Sequence, residues 1–134
     1  MTQRRALQVC LVLVALVVIV TGILGMLGAD NPLYASIEPP RVPLLDTNLR
    51  FYSGLWLVLG IAILATVRTF EHHKDVYSLI WAMLFVGGVG RMMSLITVGT
   101  PPFPIVALMI LELSGAPMLA YWQYTLMPVS NSKL

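Results

Sequence analysis

Four long apolar stretches, separated by polar or proline-rich segments, set the pattern of the chain. They cover about residues 6–27, 49–67, 76–98 and 103–126. Each offers the ~20 apolar residues that a helix needs to cross a hydrocarbon core ~30 Å thick. Alternation of apolar and polar positions is weak, and a segment in lipid must satisfy its backbone polar groups internally. The pattern predicts an all-α integral membrane protein with four transmembrane helices.

The connections between these stretches predict how the helices are arranged. The first contains the proline-rich run Glu38–Pro43, the second is the charged link Glu71–Asp75, and the third is Gly99–Pro104. Prolines in the third connection cannot continue a helix, so a tight turn is expected there. Short connections make neighbouring helices adjacent and antiparallel. We expect a single transmembrane domain, residues 1–134, folded as an up-down-up-down bundle.

Composition supports the membrane interpretation and limits the classes of partner that are expected. The chain has 134 residues, of which 58% are hydrophobic and 10% charged, whereas soluble domains carry about 25% charged residues. The net charge is only +2, and no basic run with interleaved aromatics suggests a nucleic-acid partner. Membrane lipids are therefore the expected partners, and Cys10, the single cysteine, excludes an intramolecular disulfide.

Basic residues predict the orientation in the membrane. One side of the bundle would carry five: Arg4, Arg5, Arg68, Lys74 and Lys133. The other side would carry Arg41 and Arg50. Lys and Arg accumulate on the cytoplasmic side, so both termini are expected there. The first stretch is too long for the ~7–15-residue core of a signal peptide and is interpreted as a helix that stays in the protein.

Two ionisable residues interrupt the apolar stretches. Arg91 lies in the third stretch and Glu112 in the fourth. At a rise of ~1.5 Å per residue, Arg91 lies about 10 Å and Glu112 about 13 Å below the same, outer surface. A tight turn joins the two helices, and a guanidinium can hold a carboxylate with two hydrogen bonds. The spacing therefore predicts an ion pair between the third and fourth helices.

The same half of the bundle holds further polar residues. The predicted polar cluster comprises Asp46, Asn48, Arg50, Arg91 and Glu112. Small residues mark places where transmembrane helices approach closely, and Pro117 is expected to kink the fourth helix. The residues predicted to shape helix packing are Ser53, Gly54, Gly87, Gly88, Gly90, Ser94, Gly115 and Pro117.

The polar cluster has two interpretations at this point. It is either a buried ion pair that locks two helices together, or a pocket open to the outer side. In the pocket, the arginines would bind an anionic or carbonyl group, and Glu112 would orient that group. No cofactor or metal is expected, because the adjacent His72 and His73 point apart on a helix and lie in a solvated link.

Several of these motifs resemble a known family. They are Leu45–Trp56, Gly87–Arg91 with Ser94, Pro101-Pro102 and Leu111–Leu113. Together they resemble a small bacterial four-helix membrane family, the DUF-4345 group, which is defined as a domain of unknown function. The resemblance covers about Leu45–Trp122 and a compatible first span. It implies the fold and a bacterial inner membrane, and it implies no activity.

Three functions are compatible with these observations. The leading hypothesis is a protein that binds a lipid or small amphiphile at the polar cluster. The alternative is an accessory or assembly subunit of a larger membrane complex, or a self-associating protein. The third is a membrane isomerase-type enzyme with Glu112 or Asp46 as proton carrier, since a buried carboxylate can serve acid–base chemistry. We favour a non-enzymatic role and assign no catalytic residue.

Overall fold

Four long helices account for most of the chain in a computed structural model that describes residues 2–37 and 39–126. They are α1 (Thr2–Gly25), α2 (Pro43–Thr66), α3 (Lys74–Thr97) and α4 (Phe103–Leu126). Within α4, α-helical turns at Phe103–Ile110 and Ala116–Leu126 flank a π-helical segment, Leu111–Gly115. Each of the four is long and apolar enough to cross a membrane, as the sequence predicts.

The connections contain short 3₁₀ turns. Two of them, Gly28–Asp30 and Pro32–Tyr34, follow α1. Asn31 caps the second turn, because its side chain accepts a hydrogen bond of 3.0 Å from the backbone nitrogen of Leu33. A third 3₁₀ segment, Val67–His72, extends α2 towards α3. Helix α2 itself begins at Pro43, ahead of the predicted span, since proline is well suited to the first turn of a helix.

Helices α1 and α2 form a tightly packed antiparallel pair. Near the N-terminus, Arg4 forms an ion pair with Glu71 and donates a hydrogen bond of 3.0 Å to the carbonyl oxygen of Arg68. Along the pair, a Cβ atom added to Gly22 would lie 2.8 Å from the backbone nitrogen of Leu57. Glycine therefore permits a backbone approach that any larger residue would prevent.

Contacts between the remaining neighbours show the same antiparallel order. The hydroxyl of Thr66, at the end of α2, lies 3.1 Å from that of Tyr77, near the start of α3. The indole of Trp81 in α3 donates to the side-chain oxygen of Gln123 in α4 at 2.7 Å. Successive helices therefore run in alternating directions, which gives the up-down-up-down arrangement.

Packing differs between the two ends of the bundle. We call the end with residues 26–42 and 98–102 the loop end, and the end with Thr2 and the 67–73 connection the terminal end. The buried apolar core lies towards the terminal end and comprises Leu7, Leu11, Ala15, Ile63, Val67, Phe70, Tyr77, Ile80, Trp81, Leu84 and Ala116. In the described part of α4, no residue before Glu112 is buried. The helices are thus closely packed at one end and leave space between them at the other.

Candidate functional site

Arg91 and Glu112 form an ion pair between α3 and α4, with 2.9 Å between Nε and Oε2. The Glu112 side chain is only 7% exposed, whereas that of Arg91 is 35% exposed. The carboxylate is thus enclosed by protein, and the guanidinium reaches from it towards open space. The structure brings these two residues together as their matching depths predict.

The local structure of α4 explains how Glu112 reaches its position. Glu112 lies in the π-helical segment Leu111–Gly115, which ends two residues before Pro117. Proline has no N–H to donate to the carbonyl of Leu113, and its ring would clash with that carbonyl in a regular helix. The irregularity expected at Pro117 therefore appears as a π-helical turn just before it. Such turns are rare and frequently occur at functional sites.

A glycine in α3, Gly88, lies directly against Glu112 of α4. A Cβ atom at Gly88 would lie 2.9 Å from Cβ of Glu112 and 3.0 Å from Cγ of Leu113. The two helices approach here only because position 88 has no side chain. Gly88 thereby allows the short reach from Arg91 to the buried carboxylate.

Glu112 lines a cavity between the α1–α2 pair and the α3–α4 pair. We call it the apolar cavity. Its volume is about 230 Å³. The lining residues are Leu13, Val14, Val17, Val18, Trp56, Trp81, Leu84, Leu108, Leu111, Glu112, Gly115, Ala116 and Leu119. Glu112 is the one charged residue in this set. The cavity therefore suits the hydrocarbon part of a ligand.

Arg91 lies in the wall of a second cavity nearer the loop end, which we call the polar cavity. Its volume is about 240 Å³. The lining residues are Thr21, Gly25, Asn31, Leu33, Tyr34, Leu49, Tyr52, Ser53, Trp56, Arg91, Ile105 and Leu108. Trp56 and Leu108 line both cavities, and the indole of Trp56 donates a hydrogen bond of 2.9 Å to the hydroxyl of Thr21. The Arg91–Glu112 pair thus lies where the two cavities adjoin.

The polar cavity contains side-chain donors that have no acceptor among the described residues. In residues 2–37 and 39–126, Arg91 bonds Glu112 through Nε, and neither Nη1 nor Nη2 makes a hydrogen bond. Asn31 is 4% exposed and uses its side-chain oxygen for Leu33. The guanidinium is therefore fixed at one edge by a carboxylate and presents its remaining N–H groups to an acceptor.

The Asp46–Arg50 pair lies elsewhere, at the corner between α1 and α2. Nε of Arg50 is 2.7 Å from Oδ2 of Asp46, and its Nη1 donates to the carbonyl oxygen of Met26 at 2.7 Å. Asp46 also accepts a hydrogen bond of 3.1 Å from the backbone nitrogen of Ala29. Gly28 adopts a φ of +65° beside this carboxylate, a conformation that favours glycine.

The five residues predicted as one cluster are therefore arranged as two separate ion pairs and an exposed Asn48. No hydrogen bond or ion pair joins the two pairs within the described ranges. Arg50 turns towards the corner because carbonyl oxygens at the end of α1 satisfy its guanidinium. Of the predicted cluster, only Arg91 and Glu112 line the two cavities between the helix pairs.

The comparison with protein families identifies the family of the chain. The family model described as "Domain of unknown function (DUF4345)" matches residues 6–123, most of the chain. The chain belongs to this family. The resemblance inferred from the sequence motifs is thus confirmed. No curated protein and no solved structure matches this DUF4345 chain.

The residues predicted to shape helix packing have different surroundings in this DUF4345 protein. Gly88 contacts Glu112, Ser53 lies against Gly25, and Gly54 lies near Met26. Gly115 borders the apolar cavity. The exposed ones are Gly87, Gly90, Ser94 and Pro117. These four lie on faces of α3 and α4 that turn away from the other described helices, so a packing role for them stays a prediction.

Sequence reasoning missed other residues of the packing and of the site. Gly22, Gly25 and Gly60 form the close contact between α1 and α2. Two small residues on one face of an apolar helix, as at Gly22 and Gly25, are a signal that would have indicated a close contact. The sequence signal for Trp56 was weaker: it is an aromatic residue with a polar N–H group inside an apolar stretch. No sequence signal pointed to Asn31, since its position depends on the fold of the connection.

Metal binding has no basis in the described side chains. In residues 2–37 and 39–126, no group of three or more His, Cys, Asp or Glu side chains lies close enough to hold an ion. What the site offers is a fixed cation beside a polar cavity, above a cavity lined by hydrocarbon. Such an arrangement can bind and orient an amphiphilic molecule.

Proposed function

We propose that this protein is a four-span protein of the bacterial inner membrane that binds a lipid or small amphiphile between its helix pairs. The observation that carries the proposal is the position of the Arg91–Glu112 pair between the polar and the apolar cavity. A ligand would place its head group at Arg91 and its hydrocarbon chain beside Trp56 and Leu108.

The chemistry of the two cavities supports an amphiphile over a fully polar ligand. Ligand sites are mostly apolar, with a few polar groups that fix orientation. Here Arg91 would provide that group, and a guanidinium suits carboxylate or phosphate oxygens because its N–H groups form a planar fork. Glu112 would keep the guanidinium in place, because a buried charge needs a partner.

The proposed orientation has both termini in the cytoplasm and the loop end on the outer side. It follows from the excess of Lys and Arg at the terminal end. A cysteine introduced as Ser36→Cys in a Cys10→Ser background should react with a membrane-impermeant maleimide in intact cells. Asp75→Cys should react only after the cells are permeabilised. The reverse labelling pattern would contradict the orientation.

Binding can be tested with the fluorescence of Trp56, which lines both cavities. Stearic acid brominated at mid-chain is a suitable probe, because bromine quenches a nearby indole. We expect saturable quenching in the purified protein in zwitterionic detergent, and Trp56→Phe should remove much of it. Arg91→Lys keeps the charge and supports folding but loses the planar fork. Arg91→Gln should weaken binding by at least about tenfold, as expected for a lost charged hydrogen bond.

Arg41→Gln is the matched control, since Arg41 is an exposed residue of the same end that pairs with Asp30. It removes the same charge and should leave quenching unchanged. A brominated fatty alcohol, which lacks the carboxylate, should bind more weakly than the acid. Equal binding of acid and alcohol, or equal weakening by Arg41→Gln and Arg91→Gln, would contradict a head-group site at Arg91.

A second candidate function is association with another membrane protein or a second copy. The exposed Gly87, Gly90 and Ser94 favour it, because they are spaced three and four residues apart and share one face of α3. Small residues on a lipid-facing surface let another helix approach. Cross-linking in native membranes should then yield a defined larger species that Gly90→Leu abolishes. Gly115→Leu, which lies at the cavity instead, should leave that species intact.

A further inference from the structure

A groove lies at the terminal end, away from the Arg91–Glu112 pair. Its volume is about 440 Å³. The lining residues are Arg5, Gln8, Val9, Val12, Leu13, Val67 and Arg68. Two arginines thus lie at one groove whose other walls are mostly aliphatic, and the site described above uses neither of them.

The sequence explains how charge and hydrocarbon come to share this groove. Arg5, Val9, Val12 and Leu13 are spaced four, three and one residues apart along α1, which places them on one face of the helix. That face leads from the basic N-terminal turn into the apolar span. Val9 is 59% and Leu13 57% exposed, so these two side chains of the stripe are largely uncovered by the described residues, whereas Val12 packs partly against the core.

The 3₁₀ segment after α2 supplies the other wall. The side-chain nitrogen of Gln8 donates a hydrogen bond of 3.2 Å to the carbonyl oxygen of Val67, which holds the segment against α1. Arg4 bonds the carbonyl oxygen of Arg68 and pairs with Glu71. These contacts fix the backbone on both sides of the groove.

The two groove arginines have no acidic partner among the described residues. The nearby acidic residue, Glu71, forms its ion pair with Arg4. Within residues 2–37 and 39–126, neither Arg5 nor Arg68 forms an ion pair, and both are exposed. The mouth of the groove therefore carries two positive charges that no described acidic residue neutralises.

We propose that this groove binds an anionic phospholipid. Its phosphate would lie between Arg5 and Arg68, and the first part of one acyl chain would follow Val9, Val12 and Leu13. Basic pockets between transmembrane helices at the cytoplasmic surface attract anionic head groups. A free phosphate would leave the aliphatic wall unused, and a zwitterionic lipid would bring its own positive head group beside the two arginines, whereas an anionic lipid brings none.

The inference is independent of the function proposed for Arg91 and Glu112, because neither Arg5 nor Arg68 lines the cavities at that pair. The groove and the apolar cavity do share an apolar border, because Leu13 lines both. An acyl chain that follows α1 from the groove would thus continue along the same hydrocarbon surface.

Photo-cross-linking can test the proposal in the full-length protein in phosphatidylcholine vesicles. The probe is phosphatidylglycerol with a diazirine near the carbonyl end of one acyl chain, and peptides are mapped by mass spectrometry. We expect cross-links to Val9–Leu13. Unlabelled phosphatidylglycerol should compete with the probe, whereas unlabelled phosphatidylcholine and inorganic phosphate should not. Removing both arginines with Arg5→Gln and Arg68→Gln should weaken the competition by about 30-fold, at about fivefold per charge.

The control is the double variant Arg41→Gln, Lys74→Gln, which removes two charges outside the groove. It should cross-link like the unmodified protein. Since the arginine variants could alter folding, helicity by circular dichroism is compared for all three proteins. Unchanged cross-linking in the Arg5/Arg68 variant, or equal competition by phosphatidylcholine, overturns the proposal. Full displacement of the probe by inorganic phosphate overturns the assignment to a lipid and indicates a phosphate site instead.

Discussion

At the scale of single residues, the decisive feature is which partner each buried or half-buried charged side chain binds. Arg91 and Glu112 could be paired from the sequence, because helix rise and a tight turn fix their depths. The corner position of Arg50 could not, since it depends on the carbonyl oxygens of Met26 and Leu27. Those oxygens become acceptors only because α1 ends there. Depth along a helix is thus readable from sequence, whereas the path of a connection is not.

Removing one partner of the Arg91–Glu112 pair should destabilise the protein by about 3 kcal/mol, because it leaves a charge without its counterion. Arg91→Ala should therefore lower the free energy of unfolding by about this amount, and so should Glu112→Ala. The double variant should lose less than the sum of the two. Unfolding in detergent, measured as a double-mutant cycle, checks the coupling. Strictly additive losses would show that the pair contributes no interaction energy.

Gly28→Ala should destabilise the corner between α1 and α2 more than Gly99→Ala destabilises the α3–α4 turn. Both glycines have a positive φ, +65° and +127°, and a side chain there costs about 1–2 kcal/mol. Only at Gly28 would the new Cβ atom also meet an obstacle, Oδ1 of Asp46 at 2.0 Å. Melting temperatures of the two variants in one detergent give the comparison. Equal losses would mean that the corner adjusts freely.

At the scale of elements, the π-helical turn of α4 and the glycine contacts of α1 and α2 determine which faces meet. The sequence predicts that α4 is irregular near Pro117, but not that the irregularity is a wider turn containing Glu112. That choice depends on the closeness of α3 at Gly88, which no single-helix pattern records. Likewise, a glycine in an apolar stretch predicts close packing somewhere. Whether another helix approaches the glycine, as at Gly22 but not at Gly87, is decided by the whole bundle.

Deleting Ser114, an exposed residue of the π-helical turn, should be tolerated better than deleting Met118, an exposed residue of the regular helix beyond it. One residue fewer turns a regular helix by about 100° and would move Gln123 away from Trp81. In the wider π-turn, the deletion can restore regular helix instead. Circular dichroism and thermal melting of the two deletion variants test this. A Ser114 deletion that unfolds as readily as the other would argue against the account.

Gly60→Ala should destabilise the protein, and Gly90→Ala should not. A Cβ atom at Gly60 would lie 2.7 Å from Cγ1 of Ile19, so α1 and α2 must separate, at about 1–3 kcal/mol. At Gly90 it would meet no described atom within 4 Å, and alanine favours the helix by about 0.5–1 kcal/mol. Chemical unfolding of both variants in mixed micelles decides the matter. Opposite signs are expected, and a loss in both would contradict the assigned faces.

At the scale of the whole molecule, the two ends of the bundle have different packing. A continuous core towards the terminal end holds the helices together, the apolar cavity borders that core, and the polar cavity lies in the looser part towards the loop end. The number of helices and their order follow from the apolar pattern and the short connections. The uneven packing does not, because it arises from the fit of large side chains such as Trp56 and Trp81 between elements.

Filling the apolar cavity should raise stability and lower ligand binding together. Gly115 borders the cavity, and a Cβ atom there meets no described atom within 4 Å. In Gly115→Leu, the new side chain should occupy the space proposed for the ligand's hydrocarbon chain and bury apolar area. The melting temperature should rise while quenching by brominated stearic acid falls. A variant that is more stable yet binds the probe unchanged would place the ligand elsewhere.

The ion pair of Arg4 with Glu71 also has a consequence for biosynthesis. Its two residues are separated by 67 positions, so at ~5–20 residues per second the ribosome needs roughly 3–13 s to supply the second after the first. During that interval α1 exists without this ion pair. The start of the chain can therefore reach its final place only after half of the protein has been made.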